Sequence, residues 1–281
     1  YINTTAPHTL FSAPDRETLA KERGWDEETA GYVWMLERLD QNVGTILDCL
    51  HVCDLQRKTV VFFTSDNGGI NYGKWGANDF RGLAAKQPIN GGLYRGKMFL
   101  YEGGIREPMI VSCPGTIPEG AVSDEPWYFA DGMATFADIA GAEQFLPEQH
   151  DGRSVWPVLR GKRDRLEPRP MYWEGYLNHG FRQVVRLGPW KLMRFSSLQR
   201  KGAPPPKLPE TSPPAYLELY HLETDPGERT NVAKQHPDIC RKLSRIMNDT
   251  YTPHPKFPLK DREKRVFDVR TWEDIPRVFS P

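Results

Sequence analysis

The chain has 281 residues, enough for one large domain or for a domain with a smaller partner. Its 37 Lys and Arg residues balance its 37 Asp and Glu residues, so no net charge favours binding to nucleic acid. No apolar stretch reaches the ~20 residues that a membrane-spanning helix needs. The four cysteines lack the paired spacing of a zinc site. Cys49 and Cys53 lie one helical turn apart, and we expect buried free thiols there, with a disulfide as the alternative.

The first third of the sequence predicts two helices and a strand. Ser12 and Asp15 are typical of a cap that opens a helix over "PDRETLAKERG". Residues 28–53 then place six apolar side chains on one face at helical spacing. They are Leu36, Leu39, Val43, Ile46, Leu47 and Leu50. The strand Val60–Thr64 follows, with the composition of a strand buried on both faces. This helix-to-strand step is typical of an α/β sheet.

The middle of the sequence predicts a long loop between buried elements. Residues 67–96 are rich in Gly, Asn and aromatic residues, and long loops inside compact domains are often functional. Residues 107–115 predict a second short buried strand, ended by Pro-Gly. Residues 126–141 predict a helix with Gly141 as its C-cap.

The pattern changes after residue 161. Short, alternating, aromatic segments separated by turn residues predict an antiparallel sheet, with a hairpin turn at 187–189. A proline-rich stretch interrupts the sheet, and an amphipathic helix at 236–251 follows. We therefore expect part of a mixed α/β domain over residues 1–165 and a small α+β domain over residues 166–281.

The strand Val60–Thr64 leads directly into Asp66-Asn67-Gly68-Gly69. Open α/β sheets bind ligands in the crevice outside the carboxyl ends of their strands. A carboxylate and an amide carbonyl are hard oxygen ligands that suit Ca²⁺ or Mg²⁺. Asp66 and Asn67 are therefore candidate metal ligands. The alternative is an Asp-Asn-Gly turn that binds nothing.

The stretch "YRGKMFLYEGGIREP" adds candidate cations. Lys97 could place its ammonium against an anionic oxygen, and Arg95 and Arg106 are further candidates. The alternative is that Lys97 is a solvated lysine in a polar loop.

Taken together, these motifs resemble the sulfatase family, which hydrolyses sulfate esters with a formylglycine nucleophile. The similar segments run in the order "TSDNGG", "RGK", "YEGGIREP", "CPG", "DGRSVWPVLRG", "WKL" and "ELYHLETDPGERTNVA". The resemblance implies an alkaline-phosphatase-like mixed sheet flanked by helices, followed by a small α+β domain with an antiparallel sheet.

The resemblance also implies roles for individual residues. Asp66 and Asn67 match the family's calcium ligands, with Ca²⁺ preferred over Mg²⁺. Lys97 matches the lysine that contacts the sulfate. His8, in "APHTLFSAP", matches a histidine beside the leaving-group oxygen, where an imidazole can donate a proton. The segment from Glu102 to Gly104 is expected to shape the loop that presents Lys97.

The chain departs from the family at the nucleophile. The formylglycine arises from a Cys or Ser in a Cys/Ser-x-Pro-x-Arg segment far upstream of the metal-binding pair. Ser12-x-Pro14-x-Arg16 matches that pattern, but we interpret it as a helix start. The family's Asp-Asp pair of calcium ligands has no match either. We therefore expect the C-terminal portion of a sulfatase, and the resemblance alone implies that it is exported (periplasmic, secreted or lysosomal). Its formylglycine would lie in a missing N-terminal half, and this chain alone would be inactive.

Two other functions remain open from the sequence. One is a related phosphatase, phosphodiesterase or phosphonate hydrolase of the same superfamily. The other is a non-catalytic sulfate- or glycan-binding relative.

For a sulfatase the expected substrate is a sulfated small molecule or carbohydrate, with an aryl sulfate or sulfolipid as alternatives. The loop Trp75–Pro88 and the strands Met171–Phe181 are expected to border the pocket. Trp173 or Tyr176 could stack on a sugar ring, although core packing is the alternative for both.

Overall fold

The computed structural model describes residues 1–8, 10–70, 74–75, 78–79, 89–177, 180–195, 216–256 and 258. Backbone contacts divide the chain into two compact units. The first comprises residues 1–66, 70–89 and 107–167, and the second comprises 67–69, 90–106 and 168–281. The segments 67–69 and 90–106 thus group with the C-terminal sheet. The domain division expected at residue 165 stays a prediction.

The first unit begins with two helices that have acidic N-caps. Helix α1, Arg16–Arg23, follows Asp15, whose carboxylate accepts a hydrogen bond from the Thr18 amide. Ser12 lies before this cap, so of the two residues predicted to cap the helix only Asp15 is the N-cap. Helix α2, Glu27–Val52, follows Asp26, which accepts from the Thr29 amide at 2.8 Å. This confirms the helix predicted over residues 28–53.

Burial along α2 differs from the prediction. Among its described residues only Thr29, Ala30 and Gly31 are buried, at the end that packs beside α1. The predicted apolar face is half-buried or open to solvent, with Leu47 44% exposed. Cys49 and Cys53 are free but exposed, so the expected burial of these thiols is wrong. Both cysteines lie at the C-terminal end of the helix, where every described residue from Gln41 onward is half-buried or exposed.

Two strands of the first unit form an antiparallel pair. Strand β1, Val61–Thr64, pairs with β4, Met109–Ser112, and Thr64 lies opposite Met109. Both strands are half-buried, whereas the sequence predicted buried strands. Burial of a strand depends on what packs against its two faces, and Thr64 of β1 and Ile110 of β4 are exposed. The short strands β2, Lys74–Trp75, and β3, Asn78–Asp79, form a second antiparallel pair.

The other helices of the first unit follow β4. Helix α4, Ala130–Ala140, begins four residues after the predicted start at Pro126 and ends at Gly141, whose φ of 62° is that of a left-handed C-cap. Phe136 of this helix packs edge-to-face on Phe62 of β1, with the ring centroids 5.0 Å apart. A 3₁₀ turn at Glu143–Phe145 and the short helix α5, Trp156–Leu159, complete the unit.

The second unit contains the predicted antiparallel sheet, which has four strands. Its strands pair in chain order and are β5, Met171–Leu177, β6, Gly180–Leu187, β7, Trp190–Phe195, and β8, Tyr216–His221. Gly188, with a φ of 58°, makes the tight turn between β6 and β7. The sequence placed this turn correctly.

Each face of this sheet is covered within the second unit. Helix α6, Pro237–Thr250, packs Cys240, Leu243 and Met247 against one face. Leu100 and Tyr101 pack against the opposite face, which includes Met193 and Phe195. The short helix α3, Glu102–Ile105, follows directly. The sheet therefore supports the segment that begins just after Lys97.

None of the helices that the structure describes is both long enough and apolar enough to cross a lipid bilayer.

Candidate active site

The predicted metal-binding pair lies just past the end of β1. Asp66 is exposed and is the last residue of its segment in the first unit, whereas the half-buried Asn67 belongs to the second unit. The Asn67 side-chain amide donates to the Gly68 carbonyl oxygen at 3.1 Å. The chain thus presents a carboxylate and an amide side chain in sequence, and the oxygen atoms of both groups suit a divalent cation.

Glu107 adds a second carboxyl group near Asp66. If the pairing of Thr64 with Met109 is continued by two residues, Asp66 comes opposite Glu107. Both carboxyl oxygens of Glu107 are buried, and neither forms a hydrogen bond with any residue that the structure describes. Burial, and then the nearby Asp66 carboxylate, raise the pKa of Glu107 to about 7. A bound divalent cation would relieve this unfavourable charge, so the residues present fit a metal ion.

The metal site is nevertheless partial. Within the described ranges, no three or more His, Cys, Asp or Glu side chains are grouped so that they could hold a metal ion. Ca²⁺ commonly takes six to eight oxygen ligands. Asp66 and Asn67 would therefore supply only part of a coordination sphere.

The structure brings the Asn67 turn and the Lys97 loop together within the second unit. The Lys97 amide donates to the Gly69 carbonyl oxygen at 3.0 Å, and the Gly68 amide donates to the Gly104 carbonyl oxygen at 3.2 Å. Two predicted site residues that are 30 positions apart in sequence thus share one hydrogen-bonded cluster.

Asn90 ties this cluster together with its side chain. Its Oδ1 accepts from the Gly69 amide at 3.0 Å, and its Nδ2 donates to the carbonyl oxygens of Gly69 at 3.2 Å and Arg95 at 2.8 Å. Sequence reasoning missed Asn90, because an Asn followed by Gly-Gly is an ordinary turn signal.

The backbone around Lys97 is strained. Arg95 and Met98 have φ values of 61° and 74°, in the left-handed region that non-glycine residues rarely adopt. Each such residue costs about 1 kcal/mol and persists only where its surroundings hold it. The Arg182 guanidinium supports this loop by donating to the Met98 carbonyl oxygen at 2.9 Å. Strain of this kind is typical of ligand-binding loops.

The two further cation candidates differ in their surroundings. The Arg95 guanidinium lies 5.0 Å from the ring centroids of both Tyr94 and Phe99. These cation–π contacts hold its charge against the rings of its own loop. Arg106 is exposed. Lys97, which is half-buried beside the Asn67 turn, remains the better candidate for an anion contact.

Three glycines allow the close packing of this cluster. A Cβ on Gly68 would lie 1.8 Å from the Gly103 carbonyl oxygen. A Cβ on Gly103 would lie 2.4 Å from the Arg95 carbonyl oxygen, and one on Gly104 would lie 2.1 Å from that of Phe99. Helix α3 therefore contacts the turn on one side and the loop on the other with no space for a methyl group.

A buried group of three charged side chains connects α3 to the sheet. The Lys191 ammonium lies 2.9 Å from Glu102 Oε1 and 2.9 Å from Glu228 Oε1. The Glu102 amide also donates to Glu228 Oε2 at 2.6 Å. We call these three residues the buried ion triad. The motifs "WKL" and "DPGE" carry two of its members, but the sequence gives no reason to bring them together.

His8 and Ser12 lie in the first unit. His8 is exposed, and its amide donates to the Thr5 carbonyl oxygen at 2.7 Å. The arginine of the Ser12-x-Pro14-x-Arg16 segment pairs with Glu27 at 2.9 Å and donates to the Phe11 carbonyl oxygen. Arg16 thus joins α1 to α2, which supports the structural interpretation of this segment.

The expected pocket border is only partly described. The half-buried Trp173 packs against a buried cluster of the C-terminal sheet, which agrees with core packing. The Tyr176 side chain and most of the loop from Trp75 to Pro88 lie outside the described residues.

Comparison with known proteins identifies the family. The model of the family described as Sulfatase matches residues 1–142, and a model described as N-sulphoglucosamine sulphohydrolase, C-terminal, matches residues 91–202. The chain belongs to the sulfatase family. Its fold class is therefore the alkaline-phosphatase-like fold that the resemblance implied.

Three similar proteins show the range of this sulfatase's relatives. An N-acetylgalactosamine-6-O-sulfatase of Bacteroides thetaiotaomicron is 31% identical over 76% of this chain and 40% of its own length. A steryl-sulfatase of Mus musculus is 31% identical over 69% of this chain and 32% of its own. The solved structure of Ps i-CgsB with k-i-k-neocarrahexaose is 25% identical, has a TM-score of 0.65, and is matched over 87% of this chain and 48% of that one. The chain thus spans less than half of each relative.

Proposed function

We propose that this chain supplies the metal- and sulfate-binding portion of a sulfuric ester hydrolase. The observation that carries the proposal is the hydrogen bond from the Lys97 amide to the Gly69 carbonyl oxygen, which fixes the candidate sulfate contact beside the Asn67 turn of a sulfatase-family chain. On this proposal the rest of the sheet and the formylglycine segment belong to an N-terminal half.

The proposed roles follow from what each side chain can do. Asp66 and Asn67 hold a divalent cation, Ca²⁺ in preference to Mg²⁺, and that cation when bound stabilises negative charge on the sulfate. Lys97 places an ammonium against a sulfate oxygen. His8 donates a proton to the departing ester oxygen. These groups act where negative charge develops, which is where preorganised cations and donors lower the barrier most.

The proposed substrate is a sulfated carbohydrate. One relative is named for N-acetylgalactosamine-6-O-sulfate chemistry, and another was solved with a neocarrahexaose. An aryl sulfate or a sulfolipid is the alternative substrate. The proposed location is an exported one, periplasmic, secreted or lysosomal, and it rests on the family alone.

The native protein provides the test of this function. Its intact mass and N-terminal sequence would be determined first, and sulfate release would then be assayed on sulfated carbohydrates and on an aryl sulfate. In that protein we expect Lys97→Ala to lower kcat/KM by about 100-fold or more, because it removes a charged contact to the transition state. Lys58→Ala, at an exposed lysine of the first unit, is the matched control and should change little.

Two outcomes would contradict the proposal. Unchanged sulfate release in Lys97→Ala would show that the Lys97 side chain does not make the proposed contact to the sulfate. A native species that begins near Tyr1 and binds sulfated ligands without turnover would instead indicate the non-catalytic binding protein.

A further inference from the structure

The buried ion triad lies directly behind the loop that carries Lys97. Glu102 is the first residue of α3, and the next two residues, Gly103 and Gly104, contact the loop and the Asn67 turn without space for a methyl group. Any shift of Glu102 therefore moves the backbone that supports Lys97. Lys191 and Glu228, which hold Glu102, belong to β7 and to the turn region after β8.

The buried ion triad is an inefficient means of stabilising a fold. The side chains of Lys191, Glu102 and Glu228 are 0%, 4% and 0% exposed, and they combine one basic with two acidic groups. Buried ion pairs often stabilise less than apolar residues of the same volume would, because both charges lose their water. Glu228 also has a φ of 51°, in the left-handed region. Stability alone does not account for this arrangement.

A second set of contacts holds the same segment to the sheet. The Tyr101 hydroxyl donates to Glu218 Oε2 at 2.7 Å, and the Tyr101 ring lies against those of Phe195 and Tyr220. Tyr101 is the residue before α3, so two neighbouring residues are fixed to the same sheet face. Such redundancy suits a segment whose geometry must be kept to a fraction of an ångström.

We propose that Lys191 and Glu228 are positioning residues, which act through Glu102 to hold the Lys97 loop and the Asn67 turn in the geometry that binds a sulfate group. The part of this inference that concerns sulfate rests on the proposed function. The part that concerns the loop rests on the contacts alone. Neither residue touches the substrate in this proposal.

Arg194 provides a matched control on the same strand. Arg194 is 2% exposed, comparable to Lys191, and its guanidinium donates to Gln183 Oε1 and to Asn248 Oδ1 of α6, the helix that covers the other face of the sheet. Lys191→Met and Arg194→Met each remove one buried cation from β7, three positions apart. Both variants will lose stability, so only the place where the structure loosens distinguishes them.

The first measurement is amide hydrogen exchange of the full chain under native conditions. The quantity compared is the exchange rate of an amide in the variant divided by its rate in wild type. In Lys191→Met we expect this ratio to be at least tenfold larger for four amides than for the amides of α6. The four are the amides of Gly68, Lys97, Gly103 and Gly104. In Arg194→Met the exchange rates of the same four amides should change by the same factor as those of the other amides. Glu228→Gln, which keeps the volume, should loosen the same four amides less than Lys191→Met.

The second measurement is calorimetric titration of the same variants with sodium sulfate in the presence of CaCl₂. Lys191→Met should weaken sulfate binding at least tenfold at a temperature where it remains folded, whereas Arg194→Met should leave it within twofold of wild type. A purely structural role would weaken binding in both variants alike.

The outcomes separate this inference from the proposed function. Wild type that binds no sulfate would count against the proposed function, and the exchange experiment would still decide whether the triad positions the loop. Uniform faster exchange in Lys191→Met, or equal loss of sulfate binding in both methionine variants, would overturn the inference.

Discussion

Glu228 shows how one buried carboxyl group can make a protein sensitive to pH. Burial raises its pKa to about 7, although the Lys191 ammonium and the bond from the Glu102 amide oppose that rise. Because this folded-state value lies above the ordinary 4.5, the group's contribution to stability is complete below about pH 4.5. That contribution is lost as the pH rises through 7.

Glu228→Gln should therefore make folding less dependent on pH. A glutamine has no charge to bury. The free energy of unfolding of Glu228→Gln minus that of wild type should therefore be about 2 kcal/mol larger at pH 8 than at pH 5. Urea unfolding at the two pH values measures this difference. Glu223→Gln, at an exposed carboxylate of the same turn region, is the control. If the free energies of unfolding of Glu228→Gln and wild type differ by the same amount at both pH values, the Glu228 carboxyl group is not the cause of the pH dependence.

At the scale of elements, local rules predicted where most helices, strands and turns lie. The helical spacing of residues 28–53 located α2, the alternation after residue 161 located the antiparallel sheet, and Gly188 located its hairpin. These features depend on neighbours in sequence. Burial of β1 and α2 was predicted wrongly, because burial depends on what packs against an element.

Glycine substitutions provide a test of packing at this scale. Gly68→Ala should destabilise the protein by about 3 kcal/mol, since its Cβ would lie 1.8 Å from the Gly103 carbonyl oxygen. Gly44→Ala should stabilise it by about 0.5–1 kcal/mol, because Gly44 lies inside α2 and no atom of the described residues comes within 4 Å of its Cβ position. Urea denaturation of both variants measures the two effects. Equal effects of the two substitutions would show that close packing at the turn is not what requires glycine there.

At the scale of the whole molecule, the sequence predicted part of the candidate site. Asp66, Asn67 and Lys97 were found from local motifs and from the family resemblance, and their roles remain predictions. Glu102, Lys191 and Glu228 were not combined, because the contacts that join them span 89 and 126 residues. Periodicity and turn chemistry carry no information over such separations.

The open apolar face of α2 should make the isolated chain associate with itself. Leu36, Ile46 and Leu47, which lie on this face, are 37%, 36% and 44% exposed, and exposed apolar surface favours association. Leu47→Glu should lower the fraction of dimers and larger species and change the free energy of unfolding by less than about 0.5 kcal/mol. Light scattering after size exclusion measures the association. Asn42→Glu, which adds the same charge at an exposed polar position of α2, should have little effect, and an equal effect would point to net charge instead of the apolar face.

The long separation between Glu102 and Glu228 also has a consequence for biosynthesis. A ribosome adds about 5–20 residues per second, so roughly 6–25 s pass between the synthesis of Glu102 and that of its partner 126 residues later. Throughout that interval the nascent chain already carries Lys97 and the Asn67 turn without the side chain that secures them. A premature stop codon between Glu102 and Glu228 would leave that loop without the Glu228 carboxylate even though every proposed ligand had been translated.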